Sequence, residues 1–318
     1  MNILLPITIT EAMIAAGTTI PAVDAGMGEV AWVAGDYALG ARLTYKGWTW
    51  QCTKAIAGAP VNAYTPDDPR ASQHWEKDEN SPTNRMAPFD EYVFTAAKQR
   101  GGLKYVLTPP FFNGVAMYGV EADQTDIKVY EPSAAPGAPP IHSHGQTMWE
   151  QAFGEWEYLF GNLDKTNKYT GSGYPIRPVS SLEITLSRSD PQAMAELGYL
   201  SIGQWQQLLA PLSDKGGTEF GAEVSPKRYG LWKANGDGTY LRQKGRVAKL
   251  ITASVLINAK DAPRVSRLLE KIIDIPVAVE ASDLPQYGHI STVGFVTGTV
   301  RAERGTYARV NIKVEGNV

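Results

Sequence analysis

Apolar and polar positions alternate along most of this chain, in short runs of strand length. The pattern is clearest near the end, where Ala308, Val310, Ile312 and Val314 alternate with Arg309, Asn311 and Lys313. That is the mark of an antiparallel strand with one buried face and one wet face. "RVAKLITASVLI" (246–257) is long enough for a central strand, and "IPVAVEA", "STVGFVTGTVRA" and "YARVNIKVEG" predict three more. After the first of these, Val265, Leu268, Leu269, Ile272 and Ile273 recur at helical spacing, with Asp261 suited to the N-cap and Pro263 in the first turn. Residues 216–318 are therefore expected to form a β-α-β-β-β domain, its helix packed on an antiparallel sheet. A long glycine-rich segment, "SDKGGTEFGAEVSPKRYGLWKANGDGTY", opens it. Either its "AEVSPKRYGLW" portion pairs as a strand or it docks on another subunit, and "NGDG" suits a tight hairpin turn.

Upstream the pattern is β-rich again. "KYVLTPP", "GVAMYGV", "DIKVYEP" and "SLEITLSRS" predict a β-sandwich-like middle domain over 96–215, interrupted by the proline-rich loop around "SAAPGAPPI". "WEQAFGEWEYLF" fits a strand or a short helix equally well, and "GYLSIGQWQQLLAPL" reads as a strand end followed by a helical turn. Residues 27–95 hold short runs such as "ARLTY" and "WTWQC", joined by glycine turns at Gly40 and Gly47, which predict a small β meander. The first 26 residues read as an arm, with Ile7 and Ile9 alternating with Thr8 and Thr10 before a small helical turn. The fold class expected is mainly β.

Composition narrows the function more by exclusion than by indication. A net charge of −3, with basic residues scattered rather than clustered, gives no footprint for nucleic acid. No apolar run reaches the roughly 20 residues that span a bilayer, and the first residues lack the basic start and longer apolar core of a secretory signal. Synthesis in the cytoplasm without export is the reading that follows. The single cysteine, Cys52, rules out an intrachain disulfide framework. Four of the eight tryptophans (Trp32, Trp48, Trp50, Trp75) fall within 27–95, a region small enough to need aromatic burial for its core.

Candidate chemistry is sparse. Cys52 has only the sequence-remote His74 as a prospective partner, and acids such as Glu155, Glu157 and Asp190 lack a spacing that pairs them, so no catalytic role and no cofactor are expected. His142 and His144 have one metal-like spacing, since on a strand their imidazoles would face the same way. One chain offers too few ligands there; several chains meeting on an axis would offer more. Trp48 and Trp50 share a strand face by the same rule, which raises a choice between a sugar-stacking platform and a packed core.

"AWVAGDYALGARLTYKGWTWQCTKA…HWEKD" resembles the small chitin- and carbohydrate-binding modules of bacterial glycan hydrolases, matching in order at Trp32, Tyr37, Gly40, Tyr45, Gly47, Trp50 and Trp75. The resemblance implies glycan contacts at Tyr45, Trp48, Trp50 or Trp75. Where sugar-binding members carry an exposed aromatic pair, however, this chain reads "TKAIAGAP". Over most of 27–318, including "SPTNRMAPFDEY", "VLTPPFFNGVAMYGVEADQTDIKVY" and "SPKRYGLWKANGDGTYLRQKGRVAKLITASVLINAKDAPRVSRLLEKIIDIPVAVEASD", the chain is similar to structural proteins of the tailed-bacteriophage tail tip or baseplate. The C-terminal strand and helix order also resembles the split-barrel domains with which tail proteins form rings. What this implies is a virion protein of the tail, assembled as a homo-oligomer (a ring, trimer or hexamer) with other tail proteins and reaching toward a bacterial surface glycan during host attachment. A free glycan-binding adhesin, or an accessory to a cell-wall hydrolase, is the alternative.

Overall fold

The computed structural model describes all residues except 133–136, 151, 153, 162, 210–216, 235, 283–286, 304 and 318. Strands take up 47% of it, which makes the fold mainly β as the alternation predicts. The N-terminal third carries β1 (Asn2–Pro6), β2 (Arg42–Tyr45), β3 (Trp48–Cys52) and β4 (Trp75–Pro82). The middle carries β5 (Ala97–Arg100), β6 (Gly102–Leu107), β7 (Gly114–Glu121), β8 (Gln124–Tyr130), β9 (His142–Thr147), helix α1 (Glu155–Phe160), β10 (Lys168–Ser172), β11 (Ser181–Ser187) and β12 (Met194–Gln207). The remainder holds β13 (Gly217–Thr218), β14 (Glu223–Arg228), β15 (Leu231–Ala234), β16 (Tyr240–Gln243), β17 (Val247–Asn258), helix α2 (Ala262–Lys271), β18 (Val277–Glu280), β19 (Ser291–Ala302) and β20 (Tyr307–Gly316).

One large sheet organises the chain, in the order β10-β7-β12-β1-β18-β19-β20-β17-β13, with β5 added on β12 and β14 on β17. Against its first half lies a four-stranded sheet, β6-β11-β8-β9. The alternating inward residues of the two sheets meet in one core. Leu103, Tyr105 and Leu107 of β6, Ile127 and Val129 of β8, and Leu182, Ile184 and Leu186 of β11 pack there with Val115 and Met117 of β7 and Ile202 of β12. This is sheet-on-sheet packing of the sandwich type. The other half of the large sheet curls into a half-barrel. Val265, Leu268 and Leu269 of α2 pack on it against Ile251, Val255, Val296 and Val310.

Two sequence expectations change here. The first residues are not a projecting arm: β1 pairs antiparallel with β12 on one side and β18 on the other. Ile3 enters the α2 core and Leu4 a second core with Ala116, Tyr118 and Val293, both with no exposed area. The strand is the unbroken apolar run Ile3-Leu4-Leu5 rather than the alternating Ile7–Thr10, because both of its faces are covered. At the helix, Asp261 holds the N-cap position without a side-chain hydrogen bond. The capping side chain is Asn258, which accepts from the Lys260 N–H one turn earlier and starts a 3-10 turn that runs into α2.

Other ambiguities close. "GEWEYLF" is helical as α1, with Glu155 and Glu157 in its first turn. "EVSPKR" pairs with β17, and β15 pairs with β16 as a hairpin in whose turn the Asp237 side chain accepts from the Thr239 N–H, Asn235 of the NGDG segment lying outside the described residues. β12 runs on to Gln207, and most of the helical turn expected after it lies outside the described residues.

Candidate interaction surfaces

In the aromatic module, β2 and β3 are joined by the two-residue turn Lys46-Gly47, both with positive φ (47° and 78°). A hairpin this short needs such a turn, and a side chain at 47 would also strike Met86. β3 then places Trp48, Trp50 and Cys52 on one face. Cys52 is fully buried in the module core with Leu43, Ile56, Ala71 and Trp75, and Trp50 packs against the same cluster. Trp75 is buried, edge-on to Tyr37 at 5.2 Å. The Trp50 indole N–H donates to the Tyr45 carbonyl at 3.2 Å. Tyr45 meets Trp32 edge-on at 5.7 Å, and Trp48, half-exposed, lies under the Lys77 ammonium at 3.7 Å. Trp50 and Trp75 thus belong to the module core, whereas Tyr45 meets Trp32 and Trp48 meets Lys77 outside it, so the four do not form one free stacking platform. Cys52 Sγ and His74 Nδ1 do not pair with one another; each meets the Lys54 carbonyl, at 3.2 and 3.0 Å.

His142 and His144 do fall on one face of β9, the outer strand of the four-stranded sheet. Each is engaged inward. His144 Nδ1 lies 2.9 Å from the Tyr169 hydroxyl, which lies 2.9 Å from that of Tyr174, and the Tyr174 ring meets His142 edge-on at 4.9 Å. Burial raises the pKa of both phenols, so they serve as neutral hydrogen-bonding groups. Gly171 makes room for them, since a Cβ there would stand 2.5 Å from the Tyr174 oxygen. Among the described residues, no three or more His, Cys, Asp or Glu side chains are placed to share a metal ion. Nothing in the sequence spacing announces the tyrosine pair, which comes from β10 and the turn after it.

The largest departure from ordinary surface chemistry is elsewhere. On α1, Trp156, Tyr158, Leu159 and Phe160 are 65–77% exposed, and Trp156 stacks on Phe160 at 4.6 Å rather than on a core. On the β15–β16 hairpin, Leu231, Trp232, Tyr240 and Leu241 are 53–59% exposed, with Trp232 against Tyr240 across the strands at 6.0 Å. The two patches carry opposite charge. Glu155 and Glu157 lie on α1 itself, whereas Lys233 and Arg242 lie on the hairpin strands, with Asp237 in the turn between them. Contiguous exposed apolar groups rimmed by charge mark interaction surfaces. Sequence reading left "GEWEYLF" undecided because its apolar residues cover most of the helix circumference instead of one stripe.

No helix among the described residues is long and apolar enough to cross a membrane. Compared with protein-family models, curated proteins and solved structures, the chain matched none.

Proposed function

We propose that this chain is a structural subunit of a bacteriophage tail, at the tip or baseplate, and that it assembles in several copies without catalysing a reaction. The observation that carries the reading is the pair of exposed aromatic surfaces of opposite sign on α1 and the β15–β16 hairpin. Aromatic side chains at the centre and charge at the rim are the usual anatomy of a protein interface. Because the two patches differ, a copy presents α1 to the hairpin of the next, a head-to-tail contact that closes into a ring when the rotation permits. The sequence resemblance to tail proteins points the same way. The remaining contacts would be with other tail proteins and, through the aromatic module, with a bacterial surface glycan.

Immunogold labelling of tailed particles that carry this subunit tests the placement. Label gathered at the distal end of the tail is expected; label on the head, or particles without label, would contradict it. The module separates assembly from adhesion. Since Trp48 is half-exposed and covered by Lys77 rather than free for a sugar, Trp48→Ala is expected to lower the yield of intact particles, whereas normal particles that no longer adsorb would favour the glycan-binding reading.

A further inference from the structure

Where the middle sandwich meets the half-barrel, an open cleft of about 450 Å³ collects three cations from two strands: Lys168 of β10, and Lys249 of β17 with Arg246 just before it. None of the three forms an ion pair with a described carboxylate within 4.0 Å. The Lys168 ammonium is half-buried and donates to the Gly288 carbonyl and, at 2.6 Å, to Ser291 Oγ. Burial and the neighbouring Lys249 charge hold its pKa below the ordinary lysine value, against the weaker opposing pull of Glu280 and Glu150. Arg246 is flattened on the Phe94 ring, 3.4 Å from its centroid, which fixes the guanidinium plane beside the cleft. Tyr118, more than nine-tenths buried, forms the floor of the same cleft with its hydroxyl beside Ser291.

Converging like charges repel, and an arriving anion relieves that repulsion. We propose that this cleft binds a phosphate-type oxyanion, with Lys168, Lys249 and Arg246 supplying charge. Three cations suit a doubly charged tetrahedral group better than a single carboxylate, because its oxygens diverge toward donors on different walls. The site does not depend on the subunit being a tail protein.

The test is calorimetric titration of the full chain with inorganic phosphate and, separately, with glycerol phosphate, each against sodium chloride at matched ionic strength. Saturable binding of phosphate is expected, and Lys249→Gln and Arg246→Gln, both at exposed positions, should each weaken it about 10-fold, the loss of one charge-assisted hydrogen bond. Tighter binding of glycerol phosphate than of inorganic phosphate would assign the site to a substituted phosphate, and the reverse order to the free ion. Heat no greater than that of chloride, or variants that bind as well as the parent, would overturn the proposal. Circular dichroism of each variant verifies that a loss of binding is not a loss of fold.

Discussion

Asp90 shows how a single side chain can work against the fold that holds it. Its carboxylate accepts from the Tyr92 N–H at 2.8 Å and from Thr95 Oγ1 at 2.5 Å, yet burial outweighs both and pushes its pKa up to about 6 from 3.8. The folded chain therefore binds this proton more tightly than the unfolded chain. The group's contribution is favourable at about pH 4 and is lost as the pH rises through about 6. Asp90→Asn is expected to flatten that slope and to match or exceed the parent at about pH 7.5, by on the order of 1 kcal/mol once solvent screening is allowed for. Urea unfolding at about pH 5 and pH 7.5 measures it; an unchanged slope would contradict the assignment. Cys52 makes a second residue-scale case. Buried in the module core, its thiol has a pKa raised by burial. It should resist a disulfide reagent in the native protein at about pH 8 and react with one equivalent in denaturant; rapid native labelling would mean that the module core opens. What the sequence reveals at this scale is spacing. It puts His142 beside His144 and Trp48 beside Trp50, but not the tyrosines under the first pair or the lysine over Trp48, because those partners arrive from other strands.

At the scale of elements, legibility follows the number of faces a strand buries. β6, β8, β11 and β20 each bury one face and alternate visibly, so their places along the chain could be read directly. β1 buries both faces, loses the alternation and passes for an arm. Its position joins the two halves of the large sheet, and that makes a prediction. Gly203 faces β1 so closely that a Cβ would stand 1.8 Å from the Leu5 carbonyl oxygen. Gly203→Ala should push β1 away and cost about 1–3 kcal/mol, lowering the thermal midpoint and the exchange protection of the Ile3 and Leu4 amides. Gly35→Ala, whose methyl would meet nothing within 4 Å, serves as the control. Equal midpoints for the two variants would mean that β1 is not held as described. The bulge between β3 and β4 at Trp48 is likewise invisible in the sequence, since strand alternation carries no count of extra residues on the partner strand.

For the whole molecule, the apolar side chains divide unequally. Most lie in the sandwich and the half-barrel, but those of α1 and the β15–β16 hairpin remain outside both cores. The assembly proposed above would bury them, each element meeting the oppositely charged element of another copy. Sedimentation velocity over a range of concentrations tests this most directly, with the parent chain, Glu155→Lys, Lys233→Glu and the double variant side by side. The account predicts that the parent forms a concentration-dependent multimer, that each single reversal leaves a monomer, and that the double variant associates again. A parent that stays monomeric at every concentration, or single reversals that associate as the parent does, would contradict it.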